Sequence, residues 1–535
     1  MGYFSISKTF LGIPLTLDVK EGNKIDKFLQ LLDKSGIYTI IKKYIKNNTC
    51  LGGRSGYNKF KLFAVILFGF AFKDYSLRDL EQACKYDLRY KTIMEGDEPN
   101  YSTLCHFINE VIVPNEKEIF SKLMKTIINE LPINTEVIYI DGSKFEANAN
   151  KYKFVWKPIT FHTKLSNTVF NIVKQIDIFN DYKLNGLVSS KNIIYFLEKL
   201  NEKENKSSFE INAIKALNTI LLKIIEYEEK ENICGSNRKS YYKTDKDATA
   251  MCLKADYYSG LGSNMHAAYN IQVGVSSGFI LVYYVSQSRA DINDFIPTIE
   301  QYYLFYSGYP KKICADAGYG SYKNYKYMHD NNIISFVKHQ SWEGNLSGSN
   351  PEQFKYTKEN KVICLNNNIG YEIELENRHP RKEKTVFFKV DGCNNCKFSY
   401  YCKRFMKDTT QNYKIFELNK EFELLKNESV ENLLSTEGIK IRINRAIQVE
   451  GTFGNEKQNQ KHSRLRRRGI DKVSTEIMLS FLGTNIKKYF SYLESKKLPT
   501  FWNNEESIKP QCFKKPSAKR LNKKGKRIYD KTNKK

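Results

Sequence analysis

Residues 1–133 repeat their apolar positions at helical spacing. In SLRDLEQACKYDLRYKTIM, Leu77, Leu80 and Cys84 fall on one face. In GDEPNYSTLCHFINEV, Gly96 and Pro99 break the chain and Ser102 is placed to cap, after which Leu104, Phe107, Ile108 and Val111 recur at i, i+3, i+4 and i+7. Two short helices about a turn, near 76–112, have the form of a helix-turn-helix module, a form that any helical bundle shares. The apolar run Leu62 to Phe72, flanked by Lys61 and Lys73, is too short to cross a bilayer and reads as a buried helix.

The period changes at Val137. EVIYIDGSKFEANANKY is an apolar strand that reaches Asp141 and then turns small and polar. AYNIQVGVSSGFILVYYVSQS, 268–288, holds two β-rich runs about Ser276, Ser277 and Gly278 and predicts a hairpin. KKICADAGYGS, 311–321, is another strand ending in an acid, Asp316. Between the first two, 160–232 is helical, with Ile214, Leu217, Leu221 and Ile224 at 3, 4, 3 spacing. DINDFIPTIEQYYLFY predicts a helix capped near Asp291. VICLNNNIGYEI and DGCNNCKFSYYCKRF form a β-rich, cysteine-bearing stretch before GIKIRINRAIQVEGTFGNEKQNQKHSRLRRRG returns to helix.

The expected organisation is a helical unit over 1–133 and an α/β core over 134–495. That core is interrupted by a helical insertion at 155–245 and a cysteine-bearing insertion at 340–415. A basic, disordered tail is expected over 496–535. A chain of 535 residues exceeds one ordinary core, and 41% hydrophobic residues suffice to fill several.

A net charge of +26 favours polyanionic partners, nucleic acid first, although the chain's general richness in Lys, Asn, Ile and Tyr can raise Lys without a binding role. MGYFSISKTF lacks the apolar core of a signal peptide, so a cytoplasmic protein without a membrane segment is expected. Eleven cysteines then suggest reduced thiols or a metal site, not a secreted disulfide framework.

Asp141 and Asp316 share one local grammar: an apolar strand, an acid at its end, then small residues that admit a ligand to the backbone. Either one alone reads as a turn or cap carboxylate. Neighbouring strands would bring both to one sheet edge, where they repel unless a cation separates them. Glu450 is the candidate third acid, on a helix that carries Lys457 seven residues on, at nearly the same face. Its bland alternative is a solvated helix position.

Cys393, Cys396 and Cys402, with Cys364 or His379 as a fourth ligand, could hold a structural Zn2+, or serve as reduced core thiols. His266 reads more readily as a satisfied strand-end histidine than as a DNA contact. Arg464, Arg466, Arg467 and Arg468 form a basic run expected to meet backbone phosphates.

These segments, in this order, resemble the bacterial insertion-sequence DDE transposases with a ribonuclease-H-like catalytic core. The resemblance rests on SLRDLEQACKYDLRY with EPNYSTLCHFIN, on YIDGSKFEANANK, on HAAYNIQV, on ADAGYGS and on NRAIQVEGTFGNEKQNQKHSRLRRRG. Among subgroups the chain most resembles the insertion-sequence eleven-eighty-two type, which has cysteines between the second Asp and the Glu. The resemblance implies that Asp141, Asp316 and Glu450 hold two Mg2+ or Mn2+ ions for phosphoryl transfer on DNA. Lys457 would bind phosphate beside them.

The same resemblance implies that the helical unit over 1–133 is a DNA-binding domain that recognises terminal inverted repeats, and that the enzyme cuts there, transfers strands, and works as a homodimer on DNA. It departs from this sequence before the Glu: positions that commonly carry Tyr and Arg are Ile443 and Ala446 here, with Arg442 and Arg445 beside them as substitutes that would bind DNA phosphate. A ribonuclease-H-like nuclease without strand transfer and a noncatalytic DNA-binding relic are the alternative readings.

Overall fold

The computed structural model describes residues 19–45, 56–72, 76–179, 186–236, 238–260, 264–375, 384–459, 462–498, 511–518 and 521. Most of the expected disordered tail, and the candidate ligand His379, lie outside them.

Seven helices lead: α1 Val19–Ser35, α2 Tyr38–Lys42, α3 Lys59–Phe72, α4 Leu77–Tyr86, α5 Leu88–Met94, α6 Tyr101–Phe107 and α7 Glu116–Glu130. The apolar run expected to be a buried helix is α3, covered from Leu62 to Ala71, as a helix apolar all round must be. The periodic residues Leu80, Cys84, Leu104, Phe107, Ile108 and Val111 are buried. Asn100, not Ser102, caps α6, its side-chain oxygen accepting from the Thr103 amide at 2.8 Å. Asn caps as well as Ser does, and here it stands at the residue where helical backbone begins.

The main sheet is mixed. β1 Val137–Glu146 pairs antiparallel with β5 His266–Ser276 and parallel with β7 Lys312–Ala315, which pairs parallel with β8 Ile334–Val337. The far side of β5 carries β6 Phe279–Ser286 along most of its length and β4 Thr249–Met251 at its start. Ile138, Tyr139 and Ile140 are all buried, because a central strand covered on both faces has no polar side. The β5–β6 hairpin turns at Ser277 and Gly278, both at positive φ, as the sequence predicted.

Between β1 and β5, β2 Phe154–Trp156 and β3 Ser240–Tyr242 form a two-stranded ribbon that brackets α8 Ile159–Val173, α9 Ser190–Glu202 and α10 Ser208–Cys234. These three helices have their own apolar cluster. Its stripe on α10 runs through Ala213, Leu217, Ile220 and Ile224, while Ile214 and Leu221 are only partly covered. The true stripe therefore sits beside the 3, 4, 3 register read from sequence. α11 Lys254–Tyr258 precedes β5, α12 Phe295–Tyr306 follows β6, α13 Tyr322–Asp330 joins β7 to β8, and α14 Trp342–Ser347 follows β8.

A second, five-stranded sheet is built in chain order from β9 Phe354–Tyr356, β10 Val362–Cys364, β11 Ile369–Ile373, β12 Val386–Asp391 and β13 Tyr413–Leu418. It holds α15 Ser399–Lys403 between its last two strands. The chain then returns as α16 Lys420–Leu434, α17 Thr436–Arg445, α18 Gly451–Gly454 and α19 Ile470–Ser495, with π-helical turns at Ala446–Glu450 and Asn455–Asn459 on either side of α18.

α19 packs on α3 at a distance that only glycine permits: a Cβ at Gly483 would stand 2.5 Å from the Phe70 carbonyl oxygen. The leading helices and the main sheet consequently share one continuous apolar core. Among the described residues no helix is long and apolar enough to cross a membrane.

Candidate active site

Tyr139 on β1 is level with Cys314 on β7. Two residues further along each strand come Asp141 and Asp316, so parallel pairing sets the two acids side by side on one face of the sheet edge. Asp141 accepts from the Gly142 amide at 2.9 Å, and Asp316 accepts from the Gly318 amide at 2.8 Å as it caps a single turn at Ala317–Tyr319. Burial pushes the Asp141 carboxyl up to about 6; Arg445 opposes this, while Asp316 and Asp291 add to it.

Asp291 is the acid that sequence reasoning left out of the site. Expected to cap the helix that follows, it instead begins a separate turn, Asp291–Asn293, and α12 starts after Asp294. Its carboxylate accepts from Asn270 at 2.7 Å and from Gln272 at 2.9 Å. Gly142 makes the room: a Cβ there would stand 2.3 Å from the Gln272 amide and 2.8 Å from Asp291 Oδ1. A Cβ on Gly318 would lie 3.0 Å from Asp316 Oδ1 and 4.0 Å from Asp291 Oδ2. A signal for this was available, since β6 runs parallel to β1 through the hairpin, and an acid after β6 must arrive at the edge that holds Asp141 and Asp316.

Arg445, at the end of α17, reaches Asp141 with Nη1 to Oδ2 at 3.5 Å. It stands one position from Ala446, where the resembled motif carries its Arg. Arg442 is turned elsewhere: it bonds Gln511 at 2.7 Å and lies over the Trp342 ring at 5.1 Å. Lys457 descends onto β1, bonding Ser143 Oγ at 2.6 Å and the Lys144 carbonyl at 2.7 Å, 4.4 Å from the Phe145 ring centre. Burial, with help from Lys254, lowers its ammonium to about 8. Ser143 shares the Asp141 face of the strand, so this cation stands one side-chain step from the acids.

Glu450 ends the π-helical turn and is exposed. That turn packs on β1 and β5, yet Glu450 and Lys457 stand in unlike surroundings, one solvated and the other largely covered. The intervening π geometry breaks the seven-residue register that would align them.

Beyond β1 the basic run passes alongside. Leu465 donates to the Glu146 carbonyl at 2.8 Å, Arg464 approaches Glu146 at 3.8 Å, and Arg468 donates to the Asn148 carbonyl at 2.9 Å. Arg467 donates to Asn109 at 3.1 Å, and the Arg466 amide donates to Glu476 at 3.0 Å. His266 meets Asp256 at 3.0 Å and Asn264 at 3.1 Å through Nε2, as a strand-end histidine whose buried Nδ1 has no hydrogen-bond partner among the described residues.

Among the described residues no three His, Cys, Asp or Glu side chains gather closely enough to hold a metal ion. For the thiols this leaves structural zinc unsupported. Cys364, Cys393, Cys396 and Cys402 are neighbours in the second sheet, but Asn366 and Phe398 amides approach the Cys364 and Cys396 sulfurs at 3.4 Å, and burial raises the Cys402 thiol to about 11. The acids differ. Burial chiefly holds the proton on Asp141; Asp316 and Asp291 add to this, and a divalent cation beside these acids would favour the ionised form.

The arrangement defines a class: strand-end acids with flanking cations suited to phosphoryl transfer. Residues 363–490 match the model of a transposase DDE domain, and 15–110 match that of the transposase domain DUF772. The first match takes in Glu450, Lys457 and the arginines; Asp141 and Asp316 lie outside both. Both matches are to transposase domains, and together they support an insertion-sequence DDE transposase. No match is found among curated proteins or solved structures.

Proposed function

We propose that this transposase binds the terminal inverted repeats of its own element, cuts there and joins the freed 3′-ends to a target, acting in the cytoplasm as a homodimer on DNA. The observation that carries the chemistry is the meeting of Asp141 and Asp316 just past the point where the parallel pairing of β1 with β7 ends, with Arg445 and Lys457 over the same face. The pairing of β6 with β5, β5 with β1, β1 with β7 and β7 with β8 supports a ribonuclease-H-like core. The cysteine-bearing sheet between Asp316 and Glu450 supports the eleven-eighty-two type.

Asp141 and Asp316 would hold two divalent ions, Mg2+ or Mn2+, with Glu450 as third carboxylate and Asp291 adding negative charge beside them. When bound, such ions supply Lewis acidity to the attacking hydroxyl and the departing oxygen. Arg445 keeps Asp141 oriented in the free protein. Lys457, anchored on Ser143, presents a cation to the phosphate next to the scissile bond and fixes its position without reading sequence.

Donor and target plasmids incubated with the protein and Mg2+ test this reading. Joined products are expected, and cleavage without joining would identify a nuclease. DNA binding without cleavage, unchanged by Asp316→Asn, would identify a noncatalytic relic.

A further inference from the structure

A cleft of about 520 Å3 opens where the leading helices meet the core, lined by Arg78 and Tyr101 from one side and by Arg466, Arg467, Arg468 and Lys472 from the other. Five cations face one carboxylate, Glu476, and that carboxylate is buried and already spent on the amides of Arg466 and Arg467. Arg78, Arg466, Arg468 and Lys472 are exposed, and among the described residues none of the four has a carboxylate within ion-pair distance. Arg78 lies over the Tyr101 ring at 4.9 Å, with that ring 45% exposed.

Concentrating this much positive charge is unfavourable in the free protein, and among the described residues only Glu476 opposes it in the cleft. The basic segment is nevertheless held firmly: Glu476 fixes its backbone, Asn109 fixes Arg467, and the Asn148 carbonyl fixes Arg468. A rigid backbone that holds guanidinium groups in place without carboxylate partners is the arrangement that phosphate recognition asks for.

The cleft is also in line with the candidate active site. Lys457 rests on Ser143, Arg464 pairs with Glu146, and Asn148 donates to the Arg466 carbonyl at 2.7 Å. Cations therefore follow β1 outward from Asp141, and the strand covers roughly 17 Å from Asp141 to Glu146 at ~3.3 Å per residue. That length is about five base-pair steps of duplex DNA at ~3.4 Å each.

From this track, and resting on the DNA-directed reading above, we infer that the cleft is a second phosphate-binding site for the DNA being cut. It grips the backbone about half a helical turn from the scissile bond and ties the leading helices to the catalytic edge through the DNA itself. Its ligand is the sugar-phosphate backbone, so it contributes affinity and register without base preference.

The test measures binding of a short fluorescein-labelled duplex of arbitrary sequence to the full chain across a range of salt. Arg78→Ala and Lys472→Ala should each lower the slope of log K against log salt by about 0.9, and the double variant by about twice that. Arg78→Lys, which keeps the charge, should restore most of the slope, and Lys191→Ala, an exposed residue of α9, should leave it at the wild-type value. Melting temperatures within a degree or so of wild type will show that the variants are folded.

Wild-type slopes in the folded double variant, with binding by the parent chain intact, would overturn the cleft while leaving the transposase reading in place. Absence of duplex binding by the parent chain would overturn both. Inorganic pyrophosphate that binds the cleft and fails to compete with duplex would assign it to a small anion and overturn the DNA grip.

Discussion

The helical return carries one group of acids and meets another through Arg445, and the fold treats the two in opposite ways. Around His462, Glu476 accepts from the ring at 3.0 Å and from the Arg466 and Arg467 amides, while Glu456, 3.9 Å from the other ring nitrogen, takes hydroxyls from Ser480 at 2.6 Å and Thr484 at 2.5 Å. All three side chains are buried, and their charges are met from within the protein. Around Asp141 the opposite holds. Asp141, Asp316 and Asp291 have one arginine at 3.5 Å, two backbone amides and two side-chain amides among them. A closed acid cluster is a piece of architecture, whereas one left short of positive charge is waiting for it from outside.

The largest expected effect comes from Asp316→Asn. Removing one of the acids that the fold leaves uncompensated should cost strand cleavage on the order of a thousandfold while leaving the urea midpoint unchanged or slightly raised, since a repulsion is lost. Glu476→Ala should show the reverse. Stripping the partner from a buried His462 costs about 3–5 kcal/mol, visible as an earlier urea midpoint, and cleavage by the folded fraction should fall far less than in Asp316→Asn. Equal losses of stability in both variants would break the distinction between the two groups.

This distinction was only half legible in the sequence. Asp141 and Asp316 could be read because each ends an apolar run with an acid and then small residues, and that local pattern survives folding intact. Arg445 was named for DNA and turned out to face Asp141, since helix phase at the end of α17 decides where it points and one-dimensional spacing fixes that phase poorly. Asp291 was read as a cap, because RADINDF offers two acids and the choice between them depends on where α12 starts. Glu450 and Lys457 were placed on one face by a seven-residue count, and two π-helical turns alter that count. The buried triad of Glu456, His462 and Glu476 leaves no sequence signal, because its members meet only when α19 folds back on the return segment.

A smaller effect should separate Asp291 from its neighbours. If it adds negative charge beside the metal-holding pair, Asp291→Asn raises the Mg2+ concentration for half-maximal cleavage about ten- to hundredfold. Mn2+ binding followed by electron paramagnetic resonance should weaken in parallel in the absence of DNA. A variant with wild-type metal dependence would return Asp291 to the closed, architectural kind. Gly142→Ala probes the same point sterically: its Cβ would press on Gln272 and Asp291, costing about 1–3 kcal/mol together with some cleavage.

The smallest effect is a pH dependence, with the two groups contributing in separate windows. Burial alone would lower the His462 ring, but hydrogen bonds and charge from Glu456 and Glu476 outweigh it and raise the ring to about 9. The folded state therefore holds a proton that the unfolded chain releases near pH ~6.5. Stability from this group is complete below that pH and is lost as pH rises through about 9, at up to ~1.4 kcal/mol per pH unit. Going from pH ~7 to ~8 should thus cost about 1 kcal/mol, a loss absent from His462→Gln. Asp141 acts lower on the scale. Its proton is retained up to about 6, against ~3.9 in an unfolded chain, so it weakens the fold as pH climbs between those values and adds no slope beyond them. Asp141→Asn should flatten the acid side and leave the alkaline slope, and His462→Gln should do the converse. Urea titrations of the parent chain and both variants at a series of pH values will show whether the two slopes separate, and a shared slope removed by either variant would mean that the groups form one electrostatic unit.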